Sequence, residues 1–529
     1  MCFVLPAQKA HAAACTFTSN NTGNWNAAIW TIVGAGCGAY PGQTFAGDTV
    51  IIATGNTVTL NVSPANAIGT LTINTQAAGG TNGLTVGANT LTVASISLTG
   101  SGTVGRFSTV SISTGTLSVT GNITFAGTAA QARLTFTSTG TLNIGGNLGV
   151  GGTFAASTGT VNCNGSSAQT VAGYTYNVLK SNNTAGVTPV AAPTITTLTI
   201  ADVTAGSVFN DGGFAITTAT TLNLNSGTYN CTAATFPWGT LNAGTGGVNY
   251  SLAGAQAIAA KTYHDLTISG SNTKTAGGSF TIAGDLTITG VTLASVATVQ
   301  TVNGNINNTG TQTATTGSIT LNSGTSAHIL SGSGTYANLV MNDVLGATLT
   351  GSPIVSGILT LTNGDISTGA NTLEVSTTCA TGVSGYSANS YVFGNLRLHY
   401  PTAAGTTTCT FPIGDATAYT PVTVAMVAVT STLANSTLTA RTDTPDHADT
   451  TAGISGIDKN YSVNRYWTLT PGGSLTFTTY NPTFTFVAGD IDSGATTANF
   501  IIAQKNSGVW SYPTVGTRTA TSTQATGIT

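Results

Sequence analysis

The sequence predicts an all-β protein: an elongated parallel β-solenoid (β-helix) with an N-terminal cap and a C-terminal β-sandwich-like domain. Three observations predict this class: short alternating strands, internal repeats and a near absence of charge. Only 5% of the 529 residues are charged, against roughly 25% in a typical globular domain. Glutamate occurs once, at Glu374, and Met three times. A mainly helical protein, which needs good helix formers, is therefore excluded.

Short strands are indicated by triplets in which Thr, Ser or Asn stands between two large apolar residues. Such triplets recur along the chain, for example Leu71-Thr72-Ile73, Leu117-Ser118-Val119, Leu142-Asn143-Ile144, Leu266-Thr267-Ile268 and Leu286-Thr287-Ile288. Alternation with a period of two gives each strand one buried face and one face in water. Because Gly-Asn, Asn-Gly and Ser-Gly turns separate the triplets, we expect many short strands joined by tight turns.

Internal repeats indicate that these strands form an array. Gln169, Gln256 and His328 hold equivalent positions in three copies, 87 and then 72 residues apart. The strand leucines that follow them in each copy keep nearly the same spacings, 88 and 73 residues. Each copy is longer than most single solenoid units, so we expect it to span several turns of the coil.

A solenoid also explains the low charge. Equivalent residues of successive turns stack about 4.8 Å apart, so charged residues at stacked positions would repel each other along the axis. Thr, Ser and Asn can instead form hydrogen-bonded ladders around a dry interior of Val, Ile and Leu. At roughly 20 residues per turn, residues 66–375 would make on the order of 15 turns. A stack of antiparallel sandwiches is the alternative that would give the same alternation.

Four segments are predicted. Residues 1–14 end in Ala-His-Ala-Ala-Ala and resemble the remnant of a secretory signal, which implies export. Residues 15–65 are expected to cap the coil, residues 66–375 to form it, and residues 376–529, which hold most of the remaining charge, to form the sandwich-like domain. The chain stops where a further strand is expected, and a strand of a second copy, around residues 15–19, could complete that domain.

Seven cysteines are consistent with export. The predicted disulfides join Cys15 to Cys37 and Cys379 to Cys409, because each pair flanks one compact segment. Cys163 and Cys231 are expected to be free thiols of the core or a long-range pair, and Cys2 falls in the leader. No Cys-x-x-Cys spacing occurs, so a zinc or redox site has no support.

Several short motifs look familiar: Asn24-Trp25, Gly47-Asp48-Thr49-Val50, Asn164-Gly165-Ser166-Ser167-Ala168-Gln169-Thr170-Val171 and Asn464-Arg465-Tyr466-Trp467. They resemble the N-terminal segment, the repeats and the C-terminal domain of large secreted bacterial surface proteins of the adhesin-like β-solenoid type. The resemblance implies secretion and a role at the bacterial cell surface, with little defined chemistry.

Clustered aspartates of the C-terminal domain are the candidate metal ligands. They are Asp443, Asp446, Asp449, Asp490 and Asp492. Calcium prefers clustered oxygen donors, so it is the one cofactor that the sequence suggests. The spacing does not match an EF-hand loop, and aspartates that cap surface turns are the alternative interpretation.

Other candidate sites are weaker. Lys261, His264 and Asp265, with Lys274 and Asp285, could form a lyase-like groove, although solvated turn residues are the simpler interpretation. Hydrolysis of sugars usually needs two facing carboxylates, and we expect no acidic residues of the solenoid to recur at the spacing of adjacent turns. Arg465-Tyr466-Trp467 could be a sugar-stacking patch, or a strand whose aromatics belong to the core.

These features predict a non-enzymatic extracellular structural protein: an adhesin, a matrix component or a self-assembling fibre subunit. Its expected partners are further copies of itself, head to tail, or a surface polysaccharide. The scattered basic residues exclude nucleic acid, and no run of about 18 apolar residues indicates a membrane span. The alternatives are a polysaccharide-binding module and a β-helix polysaccharide lyase or hydrolase.

Overall fold

The fold class is confirmed by a computed structural model, which describes residues 13–76 and 79–529. Strands hold 51% of the residues and helices 3%, and the chain forms a parallel β-solenoid of about 18 turns. Residues 1–12 of the predicted signal segment 1–14, which include Cys2, lie outside the described residues. The chain divides into two compact units, residues 1–252 and 253–529, and each is described by itself.

The first unit consists of three stacks of strands. All neighbours within a stack run parallel except Trp30–Val33, which is antiparallel to Thr16–Ser19. The first stack contains Trp30–Val33, Thr16–Ser19, Thr49–Ile52, Ile68–Ile73, Thr90–Gly100, Ile123–Gly127, Thr116–Val119, Thr141–Ile144, Thr160–Cys163, Thr175–Ser181, Thr194–Ile200, Thr221–Asn223 and Thr240–Asn242. The second contains Gly23–Asn24, Thr57–Leu60, Gly80–Val86, Arg106–Ile112, Ala132–Phe136 and Thr153–Ala155. The third contains Gln169–Val171, Val187–Pro189, Val208–Asn210, Thr228–Cys231 and Gly247–Tyr250.

Like residues stack on like, as the ladder argument predicts. Leu117 is in register with Leu142, and Leu142 with Val161, and all three side chains are buried. On the outer face, Asn162 Nδ2 donates to Asn143 Oδ1 at 2.9 Å, and Asn182 Nδ2 donates to Asn162 Oδ1 at 2.7 Å. The apolar interior and the outer amide ladder thus stabilise the same stacking register.

The predicted cap at residues 15–65 is itself part of the coil. Thr16–Ser19 pairs in parallel with Thr49–Ile52, which pairs in parallel with Ile68–Ile73. Among the described residues, Trp30–Val33 closes this end as an antiparallel edge strand, and Trp30 Nε1 donates to the Trp25 carbonyl at 2.8 Å. Because Thr16–Ser19 is paired on both sides, it is not free to complete another copy, contrary to our expectation.

The second unit begins with parallel strands and ends in antiparallel sheets. One parallel stack contains Gln256–Ile258, Thr273–Ala276, Thr292–Val296, Thr311–Ala314, Thr335–Tyr336 and Ile354–Val355. A second contains Asp265–Ile268, Leu286–Ile288, Ile306–Asn308, His328–Ser331 and Ala347–Leu349, and both of these stacks end on the long strand Ile366–Thr378. A third contains Thr262–Tyr263, Phe280–Ile282, Val299–Val302, Ser318–Asn322, Leu339–Asn342, Leu359–Asn363 and Val383–Ser384. Parallel pairing extends past residue 375, because Ile366–Thr378 pairs with Val392–His399 and the latter with Ile413–Gly414. The coil therefore has more turns than residues 66–375 alone would make.

The sandwich-like domain follows from this last turn. Its first sheet adds Ser436–Asp443 and Tyr466–Gly473, both antiparallel, to Val392–His399. Its second sheet is antiparallel and contains Ala403–Phe411, Val422–Val429, Thr479–Thr485, Ser522–Thr526 and Thr514–Arg518. A hairpin of Gln504–Asn506 and Val509–Ser511, the helix Ala448–Thr451 and the 3-10 turns Leu433–Asn435, Ala488–Asp490 and Thr497–Asn499 complete the domain.

Apolar side chains of both sheets form the core of this domain. They include Leu396, Leu398, Phe411, Val422, Val424, Met426 and Ala440, each at most 1% exposed. Tyr400 is also buried, and its hydroxyl donates to the Val424 carbonyl at 3.1 Å, which ties one sheet to the other. Both predicted disulfides form, Cys15–Cys37 and Cys379–Cys409. Cys163 is a buried free thiol, and Cys231 is buried and its Sγ donates to the Ala233 carbonyl at 3.8 Å.

Candidate binding cleft in the C-terminal domain

A buried ion cluster organises the end of the chain. The side chain of Arg465 is fully buried. Its Nε and Nη2 donate to Asp490 at 2.9 and 3.2 Å, and its Nη1 donates to Asp415 at 2.7 Å. Burial alone would raise the pKa of Asp415, but hydrogen bonds from Thr417 and from Arg465 lower it to about 2. Arg465 is thus a structural cation, and its position fixes the neighbouring Tyr466 and Trp467.

Next to Arg465 lies a cavity of about 700 Å³, here called the cleft. Its lining includes residues of the edge strand Tyr466–Gly473 and of the second-sheet strand Thr479–Thr485. Aromatic side chains are its commonest large lining groups: Tyr461, Tyr466, Trp467, Tyr480, Phe484, Phe486, Phe500 and Trp510. Most of these rings are only half-buried, although aromatic rings of this size are usually covered in a finished core.

Two groups of packed rings line the cleft. In the first, the His447 ring meets Tyr466 and Trp510 edge-to-face, with centroids 5.2 and 5.5 Å apart. Trp510 Nε1 also donates to Asp449 at 2.9 Å. In the second, Trp467 packs on Phe484, with ring centroids 5.0 Å apart. Trp467 Nε1 donates to the backbone carbonyl of residue 420 at 3.1 Å, so this ring is anchored in the fold.

A pair of carboxylates meets at Ser462, beside the rings. The Ser462 hydroxyl donates to Asp446 at 3.2 Å, and the Ser462 backbone N–H donates to Asp492 at 2.8 Å. Burial raises the pKa of Asp446, the hydrogen bond from Ser462 opposes this, and the charge of Asp492 raises it further. Asp446 lines the cleft, so hydrogen-bond acceptors and ring faces are presented to the same space.

The five aspartates predicted as calcium ligands are not brought together. Asp443 pairs with Arg441, Asp449 with Lys505, and Asp490 with Arg465. Only Asp446 and Asp492 share a partner, Ser462. Within residues 13–76 and 79–529, no group of three or more His, Cys, Asp or Glu side chains is placed to hold a metal ion. Arg441, Arg465 and Lys505 thus form ion pairs with three of the five carboxylates. The spacing of the aspartates in the sequence did not reveal these partners.

The lyase-like group of the solenoid is also divided. His264 Nδ1 lies 3.1 Å from Asp265 Oδ1. Lys274, in contrast, is fully buried on another strand, where its Nζ donates to the Gly254 carbonyl at 2.9 Å. Lys261 precedes the strand Thr262–Tyr263. The structure therefore does not gather these residues into one groove.

The expectation that no acidic residues recur on adjacent turns was wrong. Asp265 Oδ1 accepts from the Asp285 N–H at 2.9 Å, and Asp285 Oδ1 accepts from the Asn305 N–H at 2.7 Å. The turns approach so closely that a Cβ on Gly304 would lie 2.3 Å from the carbonyl oxygen of Gly284. Each carboxylate thus caps the backbone of the next turn, and partial exposure to water screens the repulsion between them.

Sequence reasoning missed the role of the repeat positions Gln169 and His328, although the repeats had aligned them. Gln169 Nε2 donates to the carbonyl of Ile144 on the preceding turn at 2.8 Å. His328 is 1% exposed and lies between the Gly304 carbonyl, 2.6 Å away, and Asp343, 3.1 Å away. Both are interior polar links between turns. The signal that could have revealed them is a polar residue that recurs at the same position of each repeat, since buried polar side chains are usually hydrogen-bonded.

Fold and cleft define a class: a β-solenoid protein whose sandwich-like C-terminal domain bears an aromatic cleft of ligand size. Comparison with known proteins goes no further than this class, since no family model, curated protein or solved structure matches the chain. Among the described residues, no helix combines the length and apolar character needed to cross a membrane.

Proposed function

We propose that this protein is a non-enzymatic extracellular surface protein of the adhesin type, in which the solenoid is a scaffold and the cleft binds a polysaccharide. The observation that carries the proposal is the cleft itself, where half-buried rings and carboxylates line about 700 Å³. Sugar rings offer apolar C–H faces and polar edges, so a site of stacked aromatics with hydrogen-bonding groups at the rim suits them.

The disulfides favour an extracellular location. Cys15–Cys37 and Cys379–Cys409 join residues 22 and 30 positions apart, and bonds of this kind persist in oxidising compartments. The signal-like residues at the start and the resemblance to secreted surface proteins point the same way. The two bonds also stabilise the start of the coil and its junction with the sandwich-like domain.

A non-enzymatic role is favoured by how the buried charges are used. Asp211 is fully buried and accepts hydrogen bonds from the backbone N–H groups of Gly213, Thr232 and Ala233. Asp415 and Asp490 neutralise Arg465. These carboxylates stabilise backbone groups and ion pairs, and none of the three lines the cleft.

Two exposed tyrosines provide a matched test of polysaccharide binding. Tyr461 lines the cleft and is 57% exposed, whereas Tyr512 is 56% exposed in the same domain and lies outside the lining. Binding to a panel of immobilised polysaccharides should be weakened by Tyr461→Ala and unchanged by Tyr512→Ala. If the wild-type protein binds nothing on the panel, or both variants bind as the wild type does, the proposal is refuted.

A second candidate function, self-assembly into fibres, is favoured by the edge strand Trp30–Val33. Its Ile32 and Val33 side chains are 39% and 66% exposed, and uncovered edge strands with apolar side chains pair readily with other chains. Sedimentation at increasing concentration tests this: wild type should associate and Ile32→Lys should stay monomeric. A wild-type protein that remains monomeric throughout would refute assembly through this edge.

A further inference from the structure

The cations around the cleft are already neutralised. Lys505 Nζ donates to Asp449 at 2.6 Å, and Arg465 is held between Asp415 and Asp490. His447 Nδ1 accepts a hydrogen bond from the backbone N–H of Asp449 at 3.1 Å. Lys505 and Arg465 are therefore held by carboxylates of this chain and are not left for an anionic ligand.

Asp446 and Asp458, which line the cleft, and Asp492, which shares Ser462 with Asp446, have no such compensation. Asp446 and Asp492 accept hydrogen bonds from Ser462, and Asp492 also from Asn464 Nδ2 at 2.8 Å. Asp458 lines the cleft and accepts only from Asn460, at 3.0 and 3.3 Å. All these donors are neutral, and none of the three carboxylates forms an ion pair within residues 13–76 and 79–529. These carboxylates thus have no cation paired with them.

A buried hydroxyl supplies an independent sign of a ligand. Thr523 lines the cleft from the strand Ser522–Thr526 and is 4% exposed. Its Oγ1 has no hydrogen-bond partner in the described part of the chain. Because a buried hydroxyl without a partner costs free energy, a hydroxyl or amide of a bound ligand would complete its hydrogen bonding.

Together, these groups select one kind of sugar. We propose that the cleft binds a saccharide with protonated primary amines, such as a deacetylated amino-sugar chain. An ammonium group would lie against Asp446 and the neighbouring ring of Tyr461 or Tyr466, where a carboxylate and the face of an aromatic ring both attract a cation. Hydroxyl groups of the chain would reach Thr523. This inference rests on the proposed polysaccharide-binding function and adds the chemistry of the ligand.

Calorimetric titration with two oligosaccharides that differ only in acetylation tests the inference. The probes are a hexamer of β-1,4-linked glucosamine and its fully N-acetylated form, at a pH where the amines are protonated. The deacetylated hexamer should bind about tenfold more tightly or better. Asp446→Asn should remove that preference by weakening the binding of the deacetylated hexamer about tenfold or more. Asp443→Asn is the matched control, since Asp443 already pairs with Arg441, and it should change neither affinity.

The outcomes separate the two claims. If both hexamers bind the wild type equally, polysaccharide binding stands and the selection for amines is overturned. If neither hexamer nor any other polysaccharide binds, the proposed function itself is overturned. If a hexamer of lysine binds as tightly as the glucosamine hexamer, the cleft recognises amines without regard to the sugar, and the assignment to saccharides is overturned.

Discussion

Arg465→Met would remove the guanidinium of the buried ion cluster while keeping an apolar stem of similar length. Asp490 and Asp415 would then remain 8% and 6% exposed with no cation beside them. Breaking a buried ion pair on one side costs about 3–5 kcal/mol. The lowering of the Asp415 pKa from 3.8 to about 2 corresponds to about 2.5 kcal/mol of stability at neutral pH, shared among its hydrogen bonds. We therefore expect the sandwich-like domain to lose about 3–5 kcal/mol.

Arg441→Met is the matched control. Arg441 forms a two-pronged contact with Asp443 in the same domain, but its side chain is 42% exposed. Exposed pairs contribute about 0–1 kcal/mol. Hydrogen exchange followed by mass spectrometry should show faster exchange of Thr479–Thr485 in Arg465→Met, with Thr141–Ile144 of the solenoid unchanged. Equal effects of the two substitutions, or equal loss of protection in both strands, would refute the reasoning.

Three further predictions concern stability. Replacing both Cys379 and Cys409 by Ala should lower the free energy of unfolding in urea by about 3.5 kcal/mol, because the bond closes a loop with a separation of 30 residues; a loss below about 1 kcal/mol would contradict this. Burial lowers the pKa of His399, but its hydrogen bonds to Glu374 and a backbone carbonyl outweigh burial and raise it. The stability that His399 contributes should therefore be greatest below pH 6.5, the ordinary pKa of His, and should be lost as the pH rises through the raised pKa. Thermal unfolding at a series of pH values should show this decline, and His399→Gln should abolish it. In a double-mutant cycle, Asn143→Asp and Asn162→Asp should be unfavourably coupled by about 1–3 kcal/mol at low salt, and a coupling that high salt does not reduce would argue against charge repulsion.

The fold was accessible from the sequence because its signals are local and repeated. Period-two triplets such as Leu142-Asn143-Ile144 predict one inward and one outward face. The nearly constant offsets from Gln169, Gln256 and His328 to the strand leucines that follow them predict an array of repeats. The two disulfides were accessible because each closes a short segment. Segment boundaries were not, since Thr16–Ser19 and Val392–His399 join the coil through pairing with distant strands.

The candidate site was accessible only as a list of residue types. Clustered aspartates and the Arg465-Tyr466-Trp467 motif pointed to the right domain, but their partners lie far along the chain. Asp415 is 50 residues from Arg465, and Trp510 is 61 residues from Asp449. The sequence does not distinguish an aspartate that neutralises a buried arginine from one that faces an open cleft.

From the sequence alone came the repeating strand pattern, the low charge and the turn chemistry, since each depends on residues that are neighbours along the chain. Tertiary structure alone decided which carboxylates are neutralised, which rings stay half-exposed and where the cleft lies. The physical reason is that local periodicity determines which face of a strand is apolar, whereas the charge state and exposure of a side chain depend on groups that only folding brings beside it.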